Sequence, residues 1–346
     1  MGWAPTTVRR LRTAVLRLCR GAGVHALVRD SRWRQQRLLL IGYHGVAIDD
    51  EHEWKPHLFV STESFEARLD MIKRGGYSVL PLDEALLLLK QQALPPRSVV
   101  LTFDDGYYNY KARAYPALRA RGFPSTVYLT TYYSEFNRPI YNLGISYVLW
   151  KAGTRSWHPR ALRGFSGDYT LPAMRWNAWI DLVNYGEREA LSGAEKDALL
   201  DAVADSLHVD LGAVNERRLL HLMKPGEVAE LARAGVDFQM HSHRHKTPRD
   251  EAFLHRDLVD NEIRIERFTG TRPVHFCYPN GDYHEALSSC LRQLDVRSAT
   301  TCVPGLAAHN TPMLELPRLI DTMEISPLAF EGWLSGIQSL VSRPHA

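Results

Sequence analysis

The chain has 346 residues, of which 45% are apolar, 23% charged and 10% aromatic. This balance excludes a disordered or fibrous protein, and the length is sufficient for one core of barrel size or for two modest domains. The net charge of +3 is divided unevenly, because residues 1–37 carry nine arginines and one acid and hold +8, which leaves −5 on the remainder. The basic charge therefore belongs to a short N-terminal arm, which argues against nucleic-acid binding by the main body.

Residues 1–36 form this basic arm, and apolar residues from Val8 to Arg20 recur at helical spacing among arginines. The pattern predicts an amphipathic helix that either packs on its own domain or lies on anionic lipid. No apolar run is long enough to span a membrane, and no signal peptide is recognisable. Four cysteines without CxxC spacing favour a reducing compartment. We therefore expect a cytoplasmic protein, with peripheral contact at the inner membrane face as the alternative.

After Arg37, short apolar runs alternate with helical stretches. The predicted strands cover 38–43, 98–103, 125–129, 236–240, 274–277, 298–301 and 315–320, and the predicted helices cover 63–73, 109–121, 250–268, 284–294 and 326–342. Alternation of this kind predicts βα units with right-handed crossovers around a parallel sheet. Seven or so strands indicate a closed or nearly closed barrel. Residues 131–224 are rich in Trp and Tyr and show no clear strand, so we expect a helical insertion after the third strand.

Polar residues cluster at or just beyond the ends of the predicted strands. His44, Asp104, Asp105, His241 and Tyr278 all occupy such positions. In parallel βα architectures that end carries the functional loops, so these side chains are expected to converge on one rim.

The types of residue in this cluster predict a divalent metal site. His241 and His245 have the i, i+4 spacing of a chelating pair, and a paired acid, Asp104-Asp105, precedes Gly106. Two imidazole nitrogens and one carboxylate make a three-ligand site with open positions, which suits Zn²⁺ and also other divalent ions. The second carboxylate is then available as a general base.

The sequence resembles the polysaccharide deacetylase (NodB-homology) family of carbohydrate esterases. The resemblance rests on three motifs in order, Leu101-Thr102-Phe103-Asp104-Asp105-Gly106, His241-Ser242-x-x-His245 and Phe276-Cys277-Tyr278-Pro279-Asn280-Gly281, and on flanking motifs at 41–46 and 316–320. It implies a distorted (β/α)7 barrel over residues 37–346 and metal-dependent hydrolysis of an N-acetyl group on an amino sugar. The 131–224 insertion is matched only loosely.

The resemblance also implies roles for individual residues. Asp104 resembles the catalytic base, and Asp105, His241 and His245 resemble the metal ligands. Tyr278 stands where the family uses a backbone N–H to stabilise an oxyanion. His243 is predicted to be a loop residue that points elsewhere.

Two departures from the family pattern concern the base and the general acid. Cys277 stands where many members carry an arginine that orients the catalytic Asp, and we expect Arg318, on the last strand, to reach Asp104 instead. The Leu-x-His motif that supplies the acid is absent, which leaves His44 and His309 as candidates. His44 has the alternative role of holding an acid by a hydrogen bond.

Three functions remain open at this point. The first is an N-deacetylase acting on an amino-sugar polysaccharide or a lipid-linked glycan. The second is a deformylase acting on a lipid-linked sugar, and the third is a non-catalytic glycan-binding barrel. The intact Asp-Asp-His-His set favours an enzyme, because glycan binding alone does not require a base beside the metal.

Overall fold

The computed structural model describes residues 6–341 apart from positions 160, 161, 163, 164 and 166, with side chains from residue 13 onward. Its main sheet has eight parallel strands. They are β1 Leu39–Tyr43, β2 Ser78–Val79, β3 Ser98–Phe103, β4 Thr126–Leu129, β5 Asp237–Met240, β6 His275–Cys277, β7 Ser298–Thr300 and β8 Leu319–Ile320. The order is β7-β6-β5-β4-β3-β1-β8, and β2 also pairs with β3.

The two ends of this sheet are joined through the segment that precedes β8. The Ala299 amide donates to the Met313 carbonyl at 2.8 Å, and Thr300 forms a parallel bridge with Leu316. Three residues later the same segment becomes β8, which pairs with β1. The seven-strand path therefore curls into the distorted (β/α)7 barrel that the sequence predicts.

Sixteen α-helices are described around and beyond the barrel. They are α1 Thr6–Gly21, α2 Val24–Arg29, α3 Arg32–Gln35, α4 Glu51–Trp54, α5 Thr62–Arg74, α6 Leu82–Lys90, α7 Tyr115–Arg119, α8 Tyr141–Lys151, α9 Arg175–Arg188, α10 Gly193–Ser206, α11 Leu211–Glu216, α12 Pro225–Arg233, α13 Glu251–Thr269, α14 Glu285–Gln293, α15 Pro327–Ser335 and α16 Ile337–Val341. A π-helical turn at Tyr110–Ala114 leads into α7, and 3₁₀ turns lie at Tyr133–Glu135 and Pro279–Gly281. No helix within the described ranges combines the length and the apolar character that crossing a membrane requires.

The insertion differs from its prediction in one respect. Arg155–Trp157 and Tyr169–Leu171 pair as an antiparallel hairpin, so the prediction of no strand in this region is wrong. Three-residue strands are too short for a reliable alternation pattern. The insertion follows the third strand of the seven-strand path, as predicted, since β2 lies off that path and pairs with β3. Its helices enclose a core of their own that includes Ile145, Leu182 and Val203.

The last two predicted elements are shorter than expected. Of the strand predicted at 315–320, only Leu319–Ile320 is a β-strand of the sheet. The residues before it contact β7 instead, through the bridge between Leu316 and Thr300. The predicted helix at 326–342 divides at Gly336, whose φ of 89° interrupts the helix between α15 and α16. A separate parallel sheet of two short strands, in which Gly45–Val46 pairs with Phe59–Val60, was not predicted.

The N-terminal arm packs on the barrel. In α1, Leu16 is buried against Gly332 of α15, and Arg20 pairs with Glu331. The Arg34 guanidinium is fully buried and donates to the carbonyls of Leu334 at 3.0 Å and Ser98 at 3.3 Å. Ser98 is the first residue of β3, so the arm covers the N-terminal end of the barrel. The predicted helix from Val8 is present, but the side chains of residues 8–12 lie outside the described ones.

Candidate active site

Four strands deliver polar residues to the carboxyl-terminal end of the barrel. His44 follows β1, Asp104 and Asp105 follow β3, His241 follows β5, and Tyr278 follows β6. The strands are parallel, so these ends meet at one rim, as the sequence predicts.

Two imidazoles at this rim converge on one oxygen atom of Asp105. The Nε2 atoms of His241 and His245 lie 3.3 Å and 3.2 Å from Oδ1 of Asp105. Their potential ligand atoms all lie within 4.8 Å of one another, and His241 and Asp105 are buried. The structure thus brings together the three residues that the sequence proposes as metal ligands.

The hydrogen bonds of His241 show that this set fits a cation. Its Nδ1 lies 2.8 Å from the Cys277 carbonyl, which can only accept, so Nδ1 carries the hydrogen. In the neutral imidazole the Nε2 lone pair then points at the Asp105 carboxylate, so two acceptors face each other without a proton between them. A cation bound between the two atoms would accept both lone pairs. Two nitrogens and one oxygen are a donor set that suits Zn²⁺ and related divalent ions.

The neighbouring carboxylate, Asp104, has a different partner. Both terminal nitrogens of Arg318 donate to its two oxygens at 2.6 Å, and one also donates to Thr102 Oγ1 at 3.1 Å. Arg318 and Asp104 are 0% and 2% exposed. Arg318 thus reaches Asp104 from the last strand, as the sequence analysis expects.

This pair determines the charge of Asp104. Burial raises the pKa of the Asp104 carboxyl, but the charge and hydrogen bonds of Arg318 outweigh burial and hold that pKa below its ordinary value. Asp104 is therefore ionised at neutral pH. Among the described residues Asp105 has no arginine partner, and it faces the two imidazoles instead.

Cys277 occupies the space beside this guanidinium. Its Sγ lies 3.0 Å from a terminal nitrogen of Arg318, and burial raises the pKa of the thiol, which keeps it protonated. The small neutral side chain leaves room for Arg318, while its carbonyl orients His241.

Two candidate roles are wrong in this structure. The backbone N–H of Tyr278 donates to the Thr300 carbonyl at 3.1 Å in the sheet, so it is not free to stabilise an oxyanion. His309 is exposed and lies two residues beyond Ala307, which pairs with Leu38 at the opposite end of the barrel, so it cannot act as the general acid.

The other candidate acid, His44, does lie in the site. Its Nε2 is 3.8 Å from Oδ2 of Asp104, and its Nδ1 is buried and has no hydrogen-bond partner in the part of the chain that the structure describes. Burial lowers the pKa of His44, while the Asp104 and Asp105 carboxylates oppose that effect.

His243 is a loop residue, as predicted, and its side chain is buried. Its Nδ1 hydrogen-bonds to Thr131 Oγ1 at 2.9 Å and points away from Asp105. It therefore helps to hold the loop that carries both candidate ligands.

The residue that anchors this loop from beneath was not predicted from the sequence. Asn261 on α13 is 0% exposed; its Oδ1 accepts the His241 amide at 3.0 Å, and its Nδ2 donates to the Leu129 carbonyl at 3.0 Å. It joins the ends of β4 and β5 beneath the candidate metal ligands. An asparagine on the apolar face of a helix was the available signal.

A parallel barrel that carries two imidazoles and a carboxylate at its carboxyl-terminal rim has the form of an open divalent-metal site. A sequence profile of the polysaccharide deacetylase family matches residues 91–164 and 202–299. The chain belongs to the polysaccharide deacetylase (NodB-homology) family.

Relatives are similar over part of their sequence. The chain is 32% identical to YxkH of Bacillus subtilis over 94 residues, which is 27% of this chain and 32% of that protein. It is 30% identical to the poly-β-1,6-N-acetyl-D-glucosamine N-deacetylase of Escherichia coli over 103 residues, which is 29% of this chain and 15% of that protein. The chain thus spans a third or less of the curated relatives that it matches.

Solved structures share the fold over most of the chain. The deacetylase PplD of Streptococcus pyogenes superposes with a TM-score of 0.57 at 16% identity, covering 86% of this chain and 98% of PplD. IcaB of Ammonifex degensii superposes with a TM-score of 0.54 at 16% identity, covering 86% and 97%. At this identity the likeness establishes the barrel fold.

Asn261→Ala is expected to weaken metal binding although Asn261 is not itself a candidate ligand. The change leaves the His241 amide unpaired in a buried position, which should cost about 1–3 kcal/mol of stability and about 10–100-fold in affinity for the metal. Zn²⁺ titration and denaturant unfolding measure the two effects. Ser134→Ala is the control, since it removes a buried hydroxyl that bonds to Thr130. Equal affinity losses in both variants would contradict an anchoring role for Asn261.

Proposed function

We propose that this protein is a metal-dependent N-deacetylase that releases acetate from N-acetylated amino sugars of a glycan. The observation that carries the proposal is the separation of two adjacent carboxylates, with Asp105 facing two imidazoles and Asp104 bound to an arginine. The proposal is supported by the family and by the relatives of the chain, which include a poly-β-1,6-N-acetyl-D-glucosamine N-deacetylase.

In this proposal Asp105, His241 and His245 hold a divalent ion, most simply Zn²⁺. Such an ion supplies a Lewis acid that lowers the pKa of water and polarises an acetamide carbonyl. The chain contributes the orientation of the ligands. The Cys277 carbonyl fixes the tautomer of His241, and Asn261 fixes the backbone of the same residue.

Asp104 is the proposed general base. Its carboxylate is buried, ionised and held in one orientation by two hydrogen bonds from Arg318, so it can take a proton from water that attacks the acetamide carbon. Arg318 is a positioning residue in this scheme, because it acts through Asp104.

His44 is the proposed general acid. It approaches Asp104 from the end of β1 and is not one of the three candidate ligands. A proton delivered from its imidazole would allow the amine to leave as the carbon–nitrogen bond breaks. The products are acetate and a free amino sugar.

The remaining alternatives differ in their products. A deformylase with the same residues would release formate from a lipid-linked sugar, and a glycan-binding barrel would release neither acid. Assays of acetate and formate on N-acetylglucosamine oligomers and on a formylated lipid-linked sugar, with and without a chelator, distinguish all three. Acetate release that the chelator abolishes is the expected result.

Substitution of each candidate ligand should separate metal binding from proton transfer. We expect Asp105→Ala, His241→Ala and His245→Ala to lose metal, because each removes one of three ligands. Asp104→Asn should keep metal and lose turnover by about 10²-fold or more, as expected for loss of a general base. Metal analysis and acetate release measure the two properties.

His243→Gln is the matched control, because it changes the histidine between the two candidate ligands and supplies an amide that can still hydrogen-bond to Thr131 Oγ1. It should keep its metal. Loss of metal in Asp104→Asn, with retention in Asp105→Asn, would show that the two acids are assigned the wrong way round. Equal metal loss in all the histidine variants would exclude a defined site.

The pH dependence of turnover tests Arg318 and His44 together. Arg318 lowers the pKa of Asp104, so Arg318→Met should raise that pKa, lower kcat and move the acidic limb of the pH–rate profile to higher pH, with metal content unchanged. His44→Gln should remove the basic limb, which reflects deprotonation of the acid.

Arg68→Met is the control for loss of a buried arginine, since Arg68 pairs with Asp321 and not with Asp104. It should leave the acidic limb in place even if it lowers stability. An unchanged acidic limb in Arg318→Met would contradict the assigned coupling to Asp104. A basic limb that persists in His44→Gln would exclude His44 as the acid.

We also propose that the N-terminal arm contacts an anionic membrane surface. Leucines on three neighbouring helices are exposed, namely Leu18 of α1 at 75%, Leu27 of α2 at 72% and Leu340 of α16 at 56%. They lie on or beside the segment that carries +8, and basic residues favour an anionic surface by about 1 kcal/mol each. Because the arm covers the N-terminal end of the barrel, the catalytic rim would face away from the lipid.

Point substitution is the appropriate test, because deletion of the arm would also remove the buried Arg34. The Leu18→Gln/Leu27→Gln double variant should bind phosphatidylserine-containing vesicles at least about tenfold more weakly than the wild type, with unchanged deacetylation of soluble oligomers. Leu87→Gln, on α6 and 55% exposed before the change, is the control. Equal binding by the double variant, or equal wild-type binding to vesicles of phosphatidylcholine alone, would refute the proposal.

A further inference from the structure

Two tryptophans on α9 form a rigid aromatic surface outside the catalytic rim. The rings of Trp176 and Trp179 stack with their centroids 4.8 Å apart and their planes at 22°. The indole Nε1 of Trp179 donates to the Asn142 carbonyl of α8 at 2.9 Å, which fixes the inner ring. Trp176 is 65% exposed, so its outer face is open to solvent.

The packing of the insertion does not require this exposed ring. Ala178 and Leu182 supply the buried face of α9, and the core of the insertion closes through them. A preformed and exposed aromatic face can bind a ligand at a low cost in conformational entropy, because its side chains are already ordered before the ligand arrives.

The tryptophan pair is connected to the catalytic rim by the insertion that carries α9. The insertion begins after β4, where the Tyr132 amide donates to the His243 carbonyl at 2.8 Å, and it ends where the Met223 amide donates to the Gly106 carbonyl at 2.9 Å. His243 lies between the two candidate histidine ligands, and Gly106 directly follows Asp105, so both ends of the insertion meet the rim.

We infer that Trp176 and Trp179 form a subsite for a sugar ring of the glycan chain, remote from the N-acetyl group that reacts. The choice of a glycan as the ligand rests on the proposed function. The C–H face of a pyranose ring packs against an indole face while its hydroxyl groups stay in water. The exposed apolar surface here is that of one indole, flanked in sequence by the polar residues Arg175 and Asn177. Its area is far smaller than the roughly 800 Å² that each partner of a stable protein complex buries, so a sugar ring fits this surface better than a protein does.

The inference predicts that Trp176 matters only for long substrates. Deacetylation of a disaccharide and of a hexasaccharide of β-1,6-linked N-acetylglucosamine is compared in the full chain. Trp176→Ala should raise KM for the hexasaccharide about tenfold with kcat unchanged, because stacking stabilises ground state and transition state equally. KM for the disaccharide should not change, and Trp176→Phe should restore most of the loss.

Ile263→Ala is the matched control for loss of an exposed apolar side chain, since Ile263 lies on α13 and is 56% exposed. It should leave both substrates unaffected. Equal effects of Trp176→Ala on both lengths, no effect on either, or a changed oligomeric state in sedimentation would overturn the inference.

Direct titration separates this inference from the proposed function. Calorimetry with the hexasaccharide is expected to show wild-type binding that Trp176→Ala weakens about tenfold, even if no acid is released. Binding of this kind without turnover would refute the deacetylase and keep the subsite. Turnover with the same hexasaccharide affinity in wild type and variant would refute the subsite and keep the deacetylase.

Discussion

The ion pair between Arg318 and Asp104 places two adjacent carboxylates in different electrostatic environments. Two buried carboxylates side by side would each raise the pKa of the other. Arg318 offsets the charge of Asp104 through two short hydrogen bonds, which leaves the charge of Asp105 to face His241 and His245. A buried ion pair is not in itself strongly stabilising relative to an apolar pair, so its presence here is better explained by the charge that it maintains.

The backbone at the rim is arranged to keep these groups apart. Asp105, Ser242, His245 and Asn280 all have φ between 53° and 66°, in the left-handed region that non-glycine residues rarely adopt. Such conformations cost of order 1–3 kcal/mol each and persist where surrounding contacts hold them. Asn261 provides contacts of this kind beneath the histidine loop. Four of the eleven described non-glycine residues with positive φ thus lie at this rim, beside or among the candidate metal ligands.

The sequence predicts the barrel well where a strand is long and buried. Ser98–Phe103 is confirmed at both ends, because a fully buried parallel strand is a continuous apolar run. The hairpin of the insertion was missed because three residues carry too little periodicity. The contact of Arg318 was predictable because a buried arginine on a strand needs an acidic partner. The assignment of Tyr278 failed, since sequence does not show which backbone N–H groups a sheet has already used.

The same ion pair also couples closure of the barrel to the charge of the proposed base. Strand β8 contributes only two ladder residues, and Arg318 immediately precedes it. To reach Asp104 at the end of β3, the guanidinium crosses β1 at Gly42, where an added Cβ would lie 3.1 Å from Arg318 Cζ. The absence of a side chain at Gly42 therefore leaves the space through which Arg318 reaches Asp104. Because the contact that joins β8 to the end of β3 also lowers the pKa of Asp104, a change that removes this contact would also raise the pKa of the proposed base.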